Sequence, residues 1–199
     1  MSVTGFLLGG FLLVHLVGNA TAFLGRKVFI SYASHLHSLG PIIHILETGL
    51  ITLFALHVYT ALRLYFENLQ ARPDRYTINR SSGGRTFASH TMPYTGVLIF
   101  IFIILHLKGF HFADPSISVA DTLRNNLRNP ATCLYYIVSL LAIAIHTSHG
   151  FWSLFQSLGV NHPRYNNFLR QGAIIVSILG AAFYIAIPVA TFLFTNFLL

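Results

Sequence analysis

The chain has 199 residues, 54% of them hydrophobic and 9% charged, with a mean hydropathy of +0.66 and a formal net charge of +7. A water-soluble domain carries about 25% charged residues, so a surface this poor in charge belongs in lipid. The Lys and Arg residues are too few and too scattered for a nucleic-acid surface, and a lone Cys133 excludes an intrachain disulfide and any CxxC or Cys/His zinc site.

About 20 apolar residues are needed to cross a bilayer core. Five windows qualify, at about 3–24, 42–66, 93–112, 131–156 and 169–196, so the expected fold is an all-α membrane protein, one transmembrane domain over 1–199. The first run has no basic segment before it and no small-residue cleavage site after it, and reads as a retained span rather than a signal peptide. Pro41, Pro93 and Pro130 stand at or just before first helical turns, where the missing N–H costs nothing. Pro163 precedes the fifth segment and Pro188 lies inside it.

The connections differ in character. Residues 25–41 are semi-polar and are expected at an interface. Residues 67–92 form the most polar stretch, with Arg72, Asp74, Arg75, Arg80 and Arg85 around a Gly83-Gly84 turn signal. Residues 113–130 mix Asp114 and Asp121 with Arg124 and Arg128, and the 157–168 link carries His162-Pro163. Counted with their flanks, the second and fourth connections hold Arg63, Arg72, Arg75, Arg80, Arg85, Arg164 and Arg170, against Arg26, Lys27, Lys108, Arg124 and Arg128 in the first and third. The positive-inside rule then favours a cytoplasmic N-terminus and an outside C-terminus.

Four histidines fall inside the apolar windows, one on each of the first four: His15, His57, His106 and His146. A polar, ionisable side chain at membrane depth is costly and by default marks a functional site with a partner. Four of them suggest two bis-histidine haems b in a four-helix core, with the histidine-free fifth helix as a flank. In an up-down-up-down bundle the first and third helices are diagonal, as are the second and fourth. Depth agrees. His57 stands six residues before Arg63 and His146 eighteen after Arg128, whereas His106 stands two before Lys108 and His15 eleven before Arg26. The couples are therefore His57/His146 nearer the cytoplasm and His15/His106 nearer the outside. His149, three residues after His146, lies on a neighbouring face, and depth does not choose between the two. His44, His90, His111 and His162 sit near segment boundaries and read as interfacial.

An internal repeat accompanies the histidines. Gly5 of Thr4-Gly5 precedes His15 by ten residues, and Gly96 of Thr95-Gly96 precedes His106 by the same ten. Small residues on a bundle-facing stripe admit a flat cofactor or a close helix contact.

With Thr4-Gly5 leading to His15-Leu-Val-Gly-Asn19, Tyr32-Ala-Ser-His35-Leu36, Leu56-His57-Val-Tyr59 with Arg63, Thr95-Gly96 leading to His106, His146-Thr-Ser-His-Gly150-Phe-Trp152 and Gly159-Val-Asn-His-Pro163, the chain resembles the dihaem cytochrome b membrane-anchor subunit of succinate dehydrogenase and fumarate reductase. The resemblance runs over nearly the whole length. It implies His146 rather than His149 as the fourth ligand, and a complex with a flavoprotein carrying FAD and an iron–sulfur subunit, docked on the cytoplasmic face over the 67–92 and 157–168 connections. It implies electron transfer from succinate through the inner and then the outer haem to a quinone, by analogy menaquinone, or the reverse flow for fumarate reduction. The setting would be the respiratory chain and tricarboxylic acid cycle at the cell inner membrane. Tyr32, His35 and His37 are placed to exchange protons with a quinone, and Ser2 and Arg63 to bind inner-haem propionates. Some relatives carry a glutamate two residues before the fourth ligand for proton movement; here that residue is Ala144. Two alternatives stand beside this reading. One is a haem b anchor of a hydrogenase or formate dehydrogenase type. The other is a cofactor-free transporter with histidine proton relays, which would want intramembrane carboxylates, and only Glu47 comes near.

Overall fold

A computed structural model describes residues 1–71, 86–160 and 162–198. The described residues form helices and connecting turns, and five helices are long and apolar enough to span a membrane. They are α1 (Ser2–Ala20), extended by a 3₁₀ turn over Thr21–Leu24, α3 (Pro41–Gln70), α4 (Phe87–Phe110), α6 (Pro130–Ser157) and α7 (Pro163–Leu193).

Local chemistry sets the boundaries. Pro41, Pro130 and Pro163 each open a helix, where proline loses no hydrogen bond. Asn129 caps α6 by accepting from the N–H groups of Ala131 and Thr132. Pro93 differs from expectation: it lies inside α4, which begins two turns earlier. There Thr86 accepts from the Ser89 N–H while Ser89 Oγ accepts from the Thr86 N–H, a reciprocal capping box that fixes the start at Phe87. Likewise α7 starts at Pro163 rather than 169, and Pro188 is interior to it.

Two connections contain helices that the apolar windows do not reveal. Residues Arg26–His37 form α2, entered through Gly25 at φ 102°, a conformation glycine adopts without strain. Residues Val119–Leu127 form α5, capped by Ser118, which buries Ala120, Leu123 and Leu127 at helical spacing. Arg26 ties the two together. Its guanidinium makes a bidentate pair with Asp121 at 2.7 and 2.6 Å and also donates to the Leu198 carbonyl at 3.1 Å. Asp121 is held well below the usual carboxylate range, first by the Arg26 hydrogen bond and then by that from Ser118. The Arg-rich part of the 67–92 connection, Arg72 to Arg85, lies outside the described residues.

Close backbone packing joins α6 to α7, α4 to α6, α1 to α6 and α1 to α3. Neither α1 with α4 nor α3 with α6 is among the closely packed pairs. These are the two diagonals of the bundle. The contrast is α3, which spans 30 residues and fully buries none of them within the chain.

Candidate functional site: two histidine couples

Each diagonal carries one histidine couple. The rings of His15 on α1 and His106 on α4 have centroids 6.0 Å apart at 90°. Those of His57 on α3 and His146 on α6 are 6.4 Å apart at 67°. Metal–imidazole bonds are about 2.0–2.1 Å and a ring nitrogen lies roughly 1.1 Å from its centroid, so two imidazoles facing one metal have centroids about 6.3 Å apart. Among the described residues no cluster of three or more His, Cys, Asp or Glu could hold a metal ion. Each couple thus offers two imidazole nitrogens and, among the described residues, no third protein donor.

Hydrogen bonds distinguish the two ring nitrogens of the His57/His146 couple, the inner one of the expected topology. Thr4 Oγ1 lies 3.0 Å from His57 Nδ1, and its one proton goes to the Met1 carbonyl at 2.8 Å. With its proton on the Met1 carbonyl, the threonine oxygen accepts from Nδ1–H, the tautomer that leaves the Nε2 lone pair open. Thr95 repeats the arrangement. Its oxygen lies 3.1 Å from His146 Nδ1 while its proton goes to the Thr91 carbonyl at 3.0 Å. In each case the glycine after the threonine brings the helix against the same imidazole: a Cβ on Gly5 would lie 3.5 Å from His57 Cε1, and one on Gly96 3.7 Å from His146 Cε1. The Thr-Gly repeat thus serves the couple on the other two helices, a role its spacing in the sequence did not reveal.

The outer couple is held by aromatic groups. His106 Nδ1 lies 3.2 Å from the Tyr136 hydroxyl, and Phe102 and Phe110 pack against its ring at 5.5 and 5.1 Å. Phe11 stacks on His15 at 5.3 Å. Tyr184 of α7 lies 6.1 Å from the His15 ring and donates to the Leu12 carbonyl at 2.6 Å. The fifth spanning helix therefore braces α1 beside the outer couple. Thr4 and His15 on α1, and Thr95 and His106 on α4, are both eleven residues apart, which separates the levels by about 16 Å along the bundle.

The other named residues are placed as follows. His149 is one turn from His146, its ring 5.9 Å from Trp152, and its Nδ1 is buried with no hydrogen-bond partner. Arg63 donates to Glu67 at 2.7 Å, and Ser2 is the first residue of α1. Tyr32 packs its ring on Gly18, one turn beyond His15, where a Cβ would lie 2.7 Å from the phenol oxygen. His35, three residues on, shares the Tyr32 face, but His37 does not. Both histidines donate Nδ1–H to carbonyls of their own helix, Ser31 and Ala33, at 2.7 Å. Glu47 sits between His44 and His111 at 3.2 and 3.6 Å. A cavity of about 440 Å³, lined by Lys108, Gly109, Thr122 and Asn126, opens just beyond the outer couple.

Over 154 residues, 76% of this chain and 73% of the relative, the sequence is 29% identical to the succinate dehydrogenase cytochrome b558 subunit of Bacillus subtilis (strain 168). The chain is similar to a succinate dehydrogenase cytochrome b. No family model and no solved structure matches it. The relative's name is that of a b-type cytochrome, and the five spanning helices here agree with a membrane subunit of that kind.

Proposed function

We propose that this chain is the membrane-anchor cytochrome b subunit of a succinate:quinone oxidoreductase, carrying electrons between an iron–sulfur subunit and a membrane quinone through two bis-histidine haems b. The observation that carries the reading is the pair of couples, His57/His146 and His15/His106, each on a diagonal and each at the ring separation that two imidazoles on one iron require. The donor set fits the group. The inner couple keeps both Nε2 atoms free for iron, and α3, which carries His57, leaves its faces open rather than closing on α6.

A bis-histidine haem b supplies an iron that takes up and releases one electron without changing its ligands. Everything else falls to the chain. Thr4 and Thr95 hold the inner imidazoles in one tautomer and one orientation. Phe102 and Phe110 pack on the His106 ring, and Tyr184 lies against that of His15. Ser2 and Arg63 remain candidates for the inner propionates, with Arg63 already shared with Glu67.

The quinone is proposed at the outer end, where Tyr32 and His35 share a face one turn from His15 and can exchange a proton at a quinone carbonyl. The Lys108-lined cavity supports a second placement, one turn from His106. The flavoprotein, with its FAD, and the iron–sulfur subunit would dock at the opposite, cytoplasmic end, in the cell inner membrane. A transporter reading fares less well, because Glu47, the carboxylate it would use, lies in the second turn of α3 rather than at mid-membrane depth.

An optical spectrum of the purified protein, oxidised and dithionite-reduced, tests the proposal. Two low-spin b-type haems per chain are expected, and a colourless protein would refute it. Co-purification with a flavoprotein and an iron–sulfur subunit then separates this assignment from a hydrogenase or formate dehydrogenase anchor.

A further inference from the structure

A separate cavity of about 230 Å³ opens on the flank of the bundle, where the start of α4 meets the second half of α6 and the first turns of α7. Its polar lining is Thr86, Ser148, His149, Trp152 and Arg170. No residue of α1 or α3 takes part, so it lies apart from the space between His57 and His146.

Two of the polar groups are already matched locally, the Thr86 hydroxyl accepting from the Ser89 N–H and Ser148 donating to the Ile145 carbonyl; the others look for an acceptor. The Trp152 indole N–H can only donate, and it is buried without a partner among the described residues. His149 Nδ1, buried beside it, is also unpartnered. Arg170 can only donate, and no carboxylate lines the cavity or pairs with it among the described residues. Phe87 and Ala88, also in the lining, are the first two residues of α4, whose N–H groups have no partner within the helix. A cation, an unmatched indole N–H and the free N–H groups of a helix start, with no acid among them, call for an anionic acceptor.

Its depth says where that acceptor comes from. At 31 residues α7 is about 46 Å long, against a hydrocarbon core of about 30 Å, so its first turns overhang the core, and Arg170, about 10 Å from the helix start, reaches the headgroups by extending its side chain along the helix. Trp152 is five residues from the end of α6, at the same level. Tryptophan and arginine are the residues that meet lipid headgroups, and basic pockets between spanning helices take headgroup phosphates. We propose that this cavity binds the phosphate of an acidic phospholipid. The site is independent of the haem assignment.

Trp152 is the only tryptophan in the chain, so its fluorescence reports on the site directly. The full chain is placed in nanodiscs of phosphatidylcholine containing a rising fraction of phosphatidylglycerol. A saturable change in emission is expected, weakened about fivefold or more in Arg170→Gln, as one arginine near a charged surface is worth, and largely kept in Arg170→Lys. Emission that ignores the phosphatidylglycerol fraction, or an Arg170→Gln response identical to the parent, overturns the proposal. So does inorganic phosphate that reproduces the change in pure phosphatidylcholine discs, which would mean a soluble phosphate ligand, and so does a quinone that reproduces it there. A haem absorption shift in Arg170→Gln with the lipid response intact would assign these donors to a propionate instead, and also overturns it.

Discussion

Thr4 Oγ1 lies 3.0 Å from His57 Nδ1 and 2.8 Å from the Met1 carbonyl, so it accepts from Nδ1–H when its own proton is given to that carbonyl. This contact orients an imidazole on another helix 53 residues away. Removing the hydroxyl while keeping the shape, in Thr4→Val, should weaken haem binding at the inner couple about 10–100-fold, the usual cost of losing an outer-shell partner. Thr4→Ser should restore it. Haem titration of the purified chain, followed by redox potentiometry, reads the effect, and the outer haem should be untouched. Equal loss at both haems would show that Thr4 supports the bundle rather than His57.

Single replacements of the four histidines should divide into two classes. His57→Ala and His146→Ala should lose the same haem, and His15→Ala and His106→Ala the other, leaving about one haem per chain in each case. His149→Ala should retain two. Pyridine haemochrome content together with the spectrum of the surviving haem checks the pairing. A variant that lost the haem of the other couple would break the diagonal assignment.

Gly18→Ala should lower stability, because its Cβ would lie 2.7 Å from the Tyr32 ring and hydroxyl. Overpacking of this kind costs about 1–3 kcal/mol, set against about 1 kcal/mol gained in helix propensity. Gly10→Ala, with nothing within 4 Å of its new methyl group, should only gain. Thermal melts in detergent compare the two, and a Gly18→Ala melt at or above that of Gly10→Ala would contradict the close approach of Tyr32.

The bidentate Arg26–Asp121 pair gives a pH dependence with a fixed sign. Asp121 has its carboxyl lowered in the folded chain, so its contribution is fully present above the ordinary aspartate value of about 3.9 and is lost as pH falls below it. Asp121→Asn should therefore melt below the parent at pH 7, and the gap should narrow only under strongly acid conditions. Salt should narrow it too, since the pair is partly exposed. A gap that instead widened on acidification would mean that folding raises the Asp121 carboxyl rather than lowering it.

The spanning helices were legible in the sequence because a twenty-residue apolar window fits little besides a bilayer crossing, and the diagonal couples because charged flanks fix depth. The start of α4 was not. Pro93 satisfies the rule for a first-turn proline, but the Thr86–Ser89 box lies two turns upstream and uses a serine where glutamate or glutamine is the familiar signal. The helices α2 and α5 escaped because each is short and amphipathic, and α5 buries its apolar stripe against α2 and the ends of α4, α6 and α7 rather than in lipid. Tyr136 and Tyr184 gave no signal at all. Their value lies in which helix they face, and a hydroxyl beside a histidine thirty residues away follows only from packing.

The isolation of α3 has a consequence for assembly. A thirty-residue helix with no fully buried residue, packed closely on α1 and touching α4 only through such contacts as Phe54 on Phe100, has little of its own to hold it in place. Its seat would be decided by whatever His57 grasps across the diagonal. Prosthetic-group insertion would then be the closing step of biogenesis, and a chain starved of porphyrin should display α3 to proteases before any other span.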